Sequence, residues 1–308
     1  MTPRRVRIYE VGPRDGLQNE AASIATADKI AFVNALSEAG HRAIEVSAFV
    51  SPKWVPQMAD AADVFAGITR KPGVRYTALV PNLAGLSRAI DASVDEIAVF
   101  AAASESFSRK NINQGIDASL DTYRQVCEAA TSAGLPVRGY VSTAFGCPFE
   151  GAVDPAAVAR VSAALVAMGV YEVAVSDTIG IAHPGQVPTV VRAVAERVPL
   201  DRIALHFHDT RGTALANVLA ALNLGIATFD SSAGGLGGCP YAPGATGNLA
   251  TEDLLYMLDG LGIETGVSLA GVLAASQVIE TKLGHPLASR YATAARATSR
   301  RTSPPANS

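Results

Sequence analysis

The stretch YEVAVSDTIGIAHPGQVPTVVRAVAERVPLDRIALHFH, residues 171–208, decides the fold of this chain. Its pattern predicts a short aliphatic strand from Tyr171, an amphipathic helix over residues 184–197 and a second strand from Arg202. A strand, a helix and a strand in this order form a βαβ unit, in which the two strands run parallel. The same alternation repeats along most of the chain, so the fold is built from this unit.

Eight strands are expected, and they begin near Val6, Ala43, Arg75, Asp95, Val137, Tyr171, Arg202 and Ile226. Their starts span 226 − 6 = 220 residues over seven intervals, about 31 residues each, which is the length of a βα unit. Eight such units predict a closed (β/α)8 TIM barrel rather than an open doubly wound sheet. An extra C-terminal helix is expected over residues 269–283. We therefore expect one barrel domain over residues 1–285 and a flexible tail over residues 286–308.

The composition favours a globular enzyme and excludes several other classes of protein. Of the 308 residues, 49 % are hydrophobic and only 17 % are charged, which argues against disorder. The 25 Lys+Arg and 28 Asp+Glu give a net charge of −3, so the chain has no electrostatic signature for nucleic acid or an anionic membrane. No stretch is apolar for long enough to span a bilayer. The sequence also lacks the glycine-rich motifs of the Rossmann and P-loop nucleotide sites.

Cysteine usage predicts the cellular compartment. Cys127, Cys147 and Cys239 form no CxxC pair, and an odd number cannot all be paired within one chain. This favours a reducing compartment. The N-terminal residues also lack the apolar core of a secretory signal, so we expect a cytoplasmic protein.

In a barrel of this kind, reactive side chains come from the C-terminal ends of the strands. His206 and His208 lie two residues apart on the seventh strand, so their imidazoles project from the same face. The pair can ligate a metal ion; the alternative is one core histidine and one loop histidine. Asp15 ends the first strand and adds a hard anionic ligand. With an amide oxygen, this donor set suits Mg²⁺ or Mn²⁺.

Three more charged residues lie at predicted strand ends or within strands. Arg14 is either a capping or surface charge, or a group that stabilises a developing oxyanion. Glu45 lies in the apolar run AIEVSAF, and a buried carboxylate is costly when unpaired. We therefore expect Glu45 to pair with Arg14 or to transfer protons. Asp177 lies too far from the helix expected near residue 183 to cap it, which favours a role in the site.

The segment GGLGGCPY, residues 234–241, contains too many glycines for a packed element. It is typical of a mobile loop that closes over a ligand. A cysteine on such a loop, here Cys239, can donate or accept a proton. By contrast, Cys127 and Cys147 are expected to be structural and Trp54 to be a packing residue.

Several of these stretches belong to longer motifs. The most specific are GPRDGLQNE (residues 12–20) and GLGGCPYAPGATGN (235–248), and others are FVSPKWVPQMAD (49–60), KNIN (110–113), RGYVS (138–142), SDTIG (176–180) and HFHDT (206–210). Together they resemble the 3-hydroxy-3-methylglutaryl-CoA lyase family, a group of metal-dependent TIM-barrel lyases. The resemblance extends over nearly the whole barrel.

Carried over by position, the resemblance implies roles for particular residues. The implied ligands of a divalent cation, Mg²⁺ or Mn²⁺, are Asp15, His206, His208 and Asn248. Arg14 is implied to polarise the thioester carbonyl, and the residues implied in proton transfer are Glu45, Asp177, His206 and Cys239. A weaker implication is that Lys110 and Asn111 help to hold the acyl-CoA.

The implied reaction is a retro-Claisen cleavage of 3-hydroxy-3-methylglutaryl-CoA to acetyl-CoA and acetoacetate. The family also suggests leucine degradation and a homodimer. Two departures leave the acyl group open. The segment after Glu45 reads VSA, residues 46–48, where many relatives carry hydroxyl residues, and Phe207 and Arg211 stand where cysteine and tyrosine are usual. Arg211 could recognise another carboxylate, as in citramalyl-CoA, or simply begin a surface helix.

Two further hypotheses come from other classes of function. An acetyl-CoA-dependent synthase of the same barrel group usually has a long C-terminal regulatory region, whereas only 60 residues follow the glycine-rich motif that ends at residue 248 here. A catalytically silent binding protein has no need to keep every implied ligand together with Cys239. Both observations favour the lyase.

Overall fold

The computed structural model describes residues 2–238 and 247–302, with side chains described as far as residue 297. Eight parallel strands close into a barrel in sequence order, and the last strand pairs with the first. The strands are β1 (Arg7–Glu10), β2 (Ala43–Ala48), β3 (Arg75–Leu79), β4 (Glu96–Ala102), β5 (Val137–Ser142), β6 (Glu172–Asp177), β7 (Ile203–Phe207) and β8 (Thr228–Ser231). The predicted TIM barrel is therefore confirmed, and every strand begins within two residues of its predicted start.

Helices connect and cover these strands. They are α1 (Thr26–Glu38), α2 (Ala61–Gly67), α3 (Leu83–Asp91), α4 (Glu105–Ile112), α5 (Ile116–Ser132), α6 (Pro155–Ala167), α7 (Val187–Ala195), α8 (Ala214–Leu222), α9 (Thr251–Gly260), α10 (Leu269–Leu283) and α11 (Arg290–Thr302). All six residues of β6 are buried, as expected for a parallel strand with side chains on one face and helices on the other. None of the helices within the described residues is long and apolar enough to cross a membrane.

Helix α10 is the additional helix predicted over residues 269–283, and it packs against α1. Ser268 begins it by accepting a hydrogen bond from the backbone N–H of Gly271 at 3.1 Å. The backbone N–H of Ser268 also donates to the carbonyl of Ala39, 2.7 Å away, just after α1. The C-terminal extension is thus fixed to the outside of the barrel near its first helix.

The flexible tail expected after residue 285 needs correction, because it contains α11. The hydroxyl of Ser289 accepts a hydrogen bond from the N–H of Ala292, while Asp253 accepts the N–H groups of Arg290 and Tyr291 at 3.1 and 2.8 Å. These bonds satisfy donors that a helix start leaves unpaired. Alanine and arginine are also strong helix formers, so the composition of this segment supports a helix once its start is fixed.

Two other expectations differ from the structure. Helix α4 was not predicted, although Ser104 caps it by accepting the N–H of Phe107 at 3.2 Å. Trp54 was expected to pack, yet 86 % of its surface is exposed on the loop after β2. Large aromatic side chains are usually buried for the most part. Trp54 is exposed because it lies on a loop outside the core.

The barrel interior contains charged residues where most barrels carry aliphatic layers. At its centre Arg138 on β5 is fully buried and binds Asp230 on β8 and Glu172 on β6. Glu172 also pairs with Arg7, and Arg75 forms an ion pair with Glu96 at 2.8 Å. In this group of three cationic and three anionic side chains, each one has at least one partner of opposite charge.

Candidate active site and metal centre

Three side chains that can ligate a metal meet at the C-terminal rim of the barrel. One ligand atom from each of Asp15, His206 and His208 lies within 4.8 Å of the others. Asp15 belongs to a helical turn, Gly12–Gly16, that follows β1. The two imidazoles come from the end of β7, and their ring centroids are 5.2 Å apart. The structure thus brings together the Asp and His residues that the sequence analysis expected to meet.

Backbone pairing brings Asn248 to the same place. Beyond β7 the chain forms an antiparallel bridge between His208 and Asn248. The N–H of Leu249 donates to the carbonyl of Phe207 at 3.0 Å and continues this pairing. The side-chain Nδ2 of Asn248 then donates to Asp15 Oδ2 at 2.9 Å. All four residues implied as cation ligands therefore lie in one cluster.

The cluster fits a small divalent cation. The Nδ2 group of Asn248 donates to Asp15 and also to the carbonyl of Leu236 at 3.1 Å, which fixes the orientation of the amide. Its Oδ1 and the Nδ1 of His208 are buried, and neither has a hydrogen-bond partner within residues 2–238 and 247–302. Buried polar atoms without partners are rare and call for an explanation such as an ion. A carboxylate, two imidazoles and an amide oxygen suit a divalent cation.

The protonation states at neutral pH favour ligation. Burial opposes ionisation of Asp15, but Arg14 and the two imidazoles outweigh it and hold the pKa of Asp15 well below its usual range. Burial, together with the proximity of His206, lowers the pKa of His208 to about 4. Asp15 is therefore an anion and His208 a neutral imidazole, which are the forms that bind metal ions.

Arg14 lies beside this cluster in a fixed orientation. Its Nε donates to Glu45 Oε2 and its Nη1 donates to Asp15 Oδ1, both at 2.7 Å. Glu45 is fully buried on β2, next to a register shift between β2 and β3. Such a bulge redirects a strand side chain and is common beside active sites. The pairing of Glu45 with Arg14, one of two roles expected for Glu45, is present.

Asp177 at the end of β6 caps no helix, as expected, but it binds the backbone of the loop that follows. Its two oxygens accept the N–H groups of Ile181 and Ala182, both at 3.0 Å. These residues lie in the loop before α7 rather than in the helix itself. Burial raises the pKa of Asp177 to about 6, and the two backbone bonds oppose the shift. A carboxyl with this pKa can exchange a proton near neutral pH.

Arg211 neither begins a helix nor projects into the metal cluster. Its Nη1 donates to the carbonyls of Ile179 and Gly180 at 3.0 and 2.9 Å, and α8 begins only at Ala214. Arg211 thereby joins the loop after β7 to the loop after β6. Part of its hydrogen-bonding capacity is used by backbone, which weakens the hypothesis that it recognises a substrate carboxylate.

The remaining predicted residues lie on other elements or outside the described residues. Lys110 and Asn111 belong to the last turn of α4, and the Nζ of Lys110 lies 3.8 Å from the ring centroid of Phe149. Cys239 lies outside the described residues. Cys127 is buried in α5, and Cys147 is buried and accepts a hydrogen bond from Ser104, in agreement with structural roles.

Sequence reasoning missed Glu10, which joins the two loops of the site. Its carboxylate accepts the N–H of Gly12 and the N–H of Ala233, both at 2.8 Å, and the hydroxyl of Thr251 at 2.7 Å. Burial raises the pKa of Glu10 to about 8, against these three bonds. The argument that identified Glu45, a carboxylate within an apolar strand, applies equally to Glu10.

Asp230 and Arg138 were also missed. Asp230 is buried on β8 and lies 3.2 Å from Nδ1 of His206. Burial disfavours the charged form of His206, but Asp230 and Asp15 outweigh it and raise its pKa. Arg138 belongs to the motif RGYVS that the sequence analysis had singled out without a role.

Comparison with known proteins shows which family the chain belongs to. The family model described as HMGL-like matches residues 5–279. A relative from Pseudomonas aeruginosa, named 3-hydroxy-3-isohexenylglutaryl-CoA/hydroxy-methylglutaryl-CoA lyase, is 56 % identical over 292 residues, which cover 95 % of this chain and 97 % of that protein.

Solved structures show the same similarity. The crystal structure of hydroxymethylglutaryl-CoA lyase from Pseudomonas aeruginosa has a TM-score of 0.95 and 55 % identity, and the match covers 96 % of this chain and 99 % of that one. An HMG-CoA lyase from Acinetobacter baumannii in complex with coenzyme A and 3-methylmalate has a TM-score of 0.91 and 38 % identity, with 98 % of each chain covered.

Proposed function

The chain belongs to the HMGL-like family, and from this premise we propose how its residues perform the reaction. It is a carbon–carbon lyase that cleaves 3-hydroxy-3-methylglutaryl-CoA to acetyl-CoA and acetoacetate. The observation that carries the mechanism is the cluster of Asp15, His206 and His208 directly beside the guanidinium of Arg14. A cation-binding site and an oxyanion-stabilising group at one rim are what a retro-Claisen cleavage requires.

Asp15, His206, His208 and Asn248 hold the divalent cation in this proposal. When bound, Mg²⁺ or Mn²⁺ lowers the pKa of the substrate's tertiary hydroxyl and orients its free carboxylate. The side chains are prepared for this before substrate arrives, because Arg14 and Asn248 both bind Asp15 and fix its carboxylate.

We assign removal of the hydroxyl proton to Asp177 rather than to His206, both of which the resemblance implies in proton transfer. In this proposal Nε2 of His206 serves as a ligand, and its Nδ1 is already engaged with Asp230. Neither nitrogen is then free to accept the proton. Asp177 is at the same rim, and its pKa of about 6 leaves most of it ionised at pH 7.

Loss of that proton sets up the cleavage. The alkoxide electrons form the ketone of acetoacetate, the C2–C3 bond breaks, and its electron pair becomes the enolate of acetyl-CoA. Arg14 donates hydrogen bonds to the enolate oxygen, where negative charge develops only as the bond breaks. Protonation of the enolate carbon is assigned to Cys239, and Glu45 holds the guanidinium of Arg14 while charge moves.

The direct test measures acetoacetate released from 3-hydroxy-3-methylglutaryl-CoA by the full chain. After removal of metal with a chelator, we expect no release above background, and we expect Mg²⁺ or Mn²⁺ to restore it. Cleavage that is equally fast in the chelated protein would contradict the metal-dependent mechanism. No cleavage of this or a related 3-hydroxyacyl-CoA under any metal condition would contradict the lyase activity.

The pH dependence tests Asp177. A base must be deprotonated, so activity is complete well above its pKa and falls as the pH drops through it. We expect log kcat/KM to decline with a slope approaching 1 below about pH 6, following the raised pKa of Asp177. Asp177→Asn should remove this ionisation and lower kcat by about 100-fold or more. If the acidic limb persists in Asp177→Asn, another residue is the base.

A separate proposal concerns the range of acyl groups that the enzyme accepts. We propose that 3-hydroxy-3-methylglutaryl-CoA is one of a small set of 3-hydroxyacyl-CoA substrates, because the Pseudomonas aeruginosa relative is named for two. The citramalyl-CoA hypothesis is less favoured, since Arg211 binds loop carbonyls.

We further propose that the protein is a cytoplasmic homodimer that serves leucine degradation. The bacterial relatives and the odd number of cysteines support the cytoplasm. The proposals of a homodimer and of a role in leucine degradation are based on the membership of the chain in this family.

A further inference from the structure

The imidazole of His206 is held on the side away from Asp15 by a buried carboxylate. Nδ1 of His206 lies 3.2 Å from Oδ2 of Asp230, and both side chains are buried. Nε2 lies 3.9 Å from Oδ2 of Asp15, within the metal cluster. The two nitrogens of this ring therefore face different partners.

Asp230 itself is fixed by Arg138. The guanidinium donates to Oδ1 at 2.7 Å through Nη2 and to Oδ2 at 3.2 Å through Nη1. Its Nε donates to Glu172 at 2.9 Å, and the ring of Tyr9 lies against it with 3.9 Å from the guanidinium carbon to the centroid. A fully buried arginine bound at this many points has little freedom, so it holds the carboxylate in one orientation.

These contacts determine where His206 carries its proton. Arginine can only donate hydrogen bonds, and a carboxylate in contact with it is ionised and can only accept them. Nδ1 of His206 must therefore be the protonated nitrogen, since it is the atom that faces the carboxylate. In the neutral ring Nε2 is then left with its lone pair toward Asp15.

We propose that Asp230, anchored by Arg138, is a positioning residue that holds His206 in the tautomer and orientation in which Nε2 can bind the divalent cation. This inference rests on the proposed function for the role of the cation. The carboxylate acts through the imidazole and contacts neither cation nor substrate. Histidine ligands of metals commonly donate their other ring N–H to such a partner, and loss of the partner lowers metal affinity about 10- to 100-fold.

The sharpest variant is Asp230→Asn, because it reverses one hydrogen bond with almost no change in shape. Both oxygens of Asp230 accept from Arg138, so the amide N–H₂ must replace one of them. The amide oxygen will keep the shorter bond of 2.7 Å from Nη2, and the N–H₂ will take the place of Oδ2, where the contact with Nη1 is longer at 3.2 Å. The amide N–H₂ then points at Nδ1 of His206 and donates to it. This favours the tautomer protonated on Nε2, which has no lone pair for a metal.

The experiment measures Mn²⁺ affinity and the histidine tautomer in the full chain. We expect the Kd for Mn²⁺, from the EPR signal of free Mn²⁺, to rise about 10- to 100-fold in Asp230→Asn. At a pH high enough for the ring to be neutral, ¹⁵N chemical shifts of labelled histidine should show His206 protonated on Nδ1 in the metal-free parent chain and on Nε2 in the variant. An unchanged Kd, or a parent ring protonated on Nε2, overturns the proposal.

Glu172→Gln is the matched control, because it is also a carboxylate-to-amide change at a partner of Arg138. Glu172 has no contact with His206 among the described residues, so we expect the Mn²⁺ Kd to remain within about 3-fold of the parent value. An equal loss of affinity in both variants would mean that the network only stabilises the barrel. If Asp230→Asn does not fold, the tautomer of His206 in the parent chain still tests the proposal. If the parent chain binds no Mn²⁺, the proposed metal site fails, while the tautomer test of Asp230 remains separate.

Discussion

Replacement of Arg14 with lysine is expected to lower kcat about 100- to 1,000-fold while KM changes little. The guanidinium uses Nε for Glu45 and Nη1 for Asp15, and further N–H groups are available for an enolate oxygen. A lysine ammonium is a single point charge that cannot keep both carboxylates and present a third donor in the same geometry. The stabilised charge appears only as the C2–C3 bond breaks, so the loss falls on kcat.

Steady-state kinetics of Arg14→Lys with 3-hydroxy-3-methylglutaryl-CoA show whether the loss falls on kcat or on KM. Arg211→Lys is the matched control, because Arg211 is at the same rim but binds backbone carbonyls of Ile179 and Gly180. We expect kcat of the control to remain within about 5-fold of the parent value. A large increase in KM with little change in kcat for Arg14→Lys would instead assign Arg14 to substrate binding.

A second large effect is expected for Asp15→Asn. An amide oxygen lacks the charge of the carboxylate, and this site has no other anionic ligand among Asp15, His206, His208 and Asn248. The loss of Mn²⁺ affinity should therefore exceed the roughly 100-fold limit typical of groups that only support a ligand. Arg14 also loses an ionic partner, so kcat should stay low even at saturating Mn²⁺.

Titration of Mn²⁺ into Asp15→Asn, followed by assays at saturating metal, separates the two contributions. Asp154→Asn makes the same chemical change at the cap of α6, and it should retain parent-level affinity for Mn²⁺. Parent-level affinity in Asp15→Asn would show that Asp15 is not a ligand.

The fold could be predicted because each βα unit carries its own signals. Alternating aliphatic strands and amphipathic helices are local patterns, and parallel strands that connect through helices must place their C-terminal ends together. His206 and His208 could be identified for the same reason, since spacing of two on a strand fixes a common face. Asp15 was predictable from its place at a strand end.

Other features depend on how the barrel closes and could not be predicted locally. Arg138 and Asp230 are 92 residues apart, and nothing near either residue identifies the other as its partner. The role of Asp177 depends on a loop that folds back onto its carboxylate. Helix α11 depends on Asp253, 37 residues before Arg290, to bind its first N–H groups. These are tertiary effects that override the composition of a segment.

The charged interior of the barrel also restricts how this sequence can change over time. Glu172 serves both Arg7 and Arg138, and Arg138 serves both Glu172 and Asp230. A neutral residue in place of Arg138 therefore leaves the buried carboxylate of Asp230 without its guanidinium partner. Breaking such a pair from one side costs about 3–5 kcal/mol, a large part of the stability of a domain. Evolutionary change at these positions must therefore replace both charged partners together, or follow another substitution that stabilises the fold. Substitutions in this group are therefore coupled, because each one changes which further substitutions the protein tolerates. The group consists of Arg7, Arg138, Glu172 and Asp230.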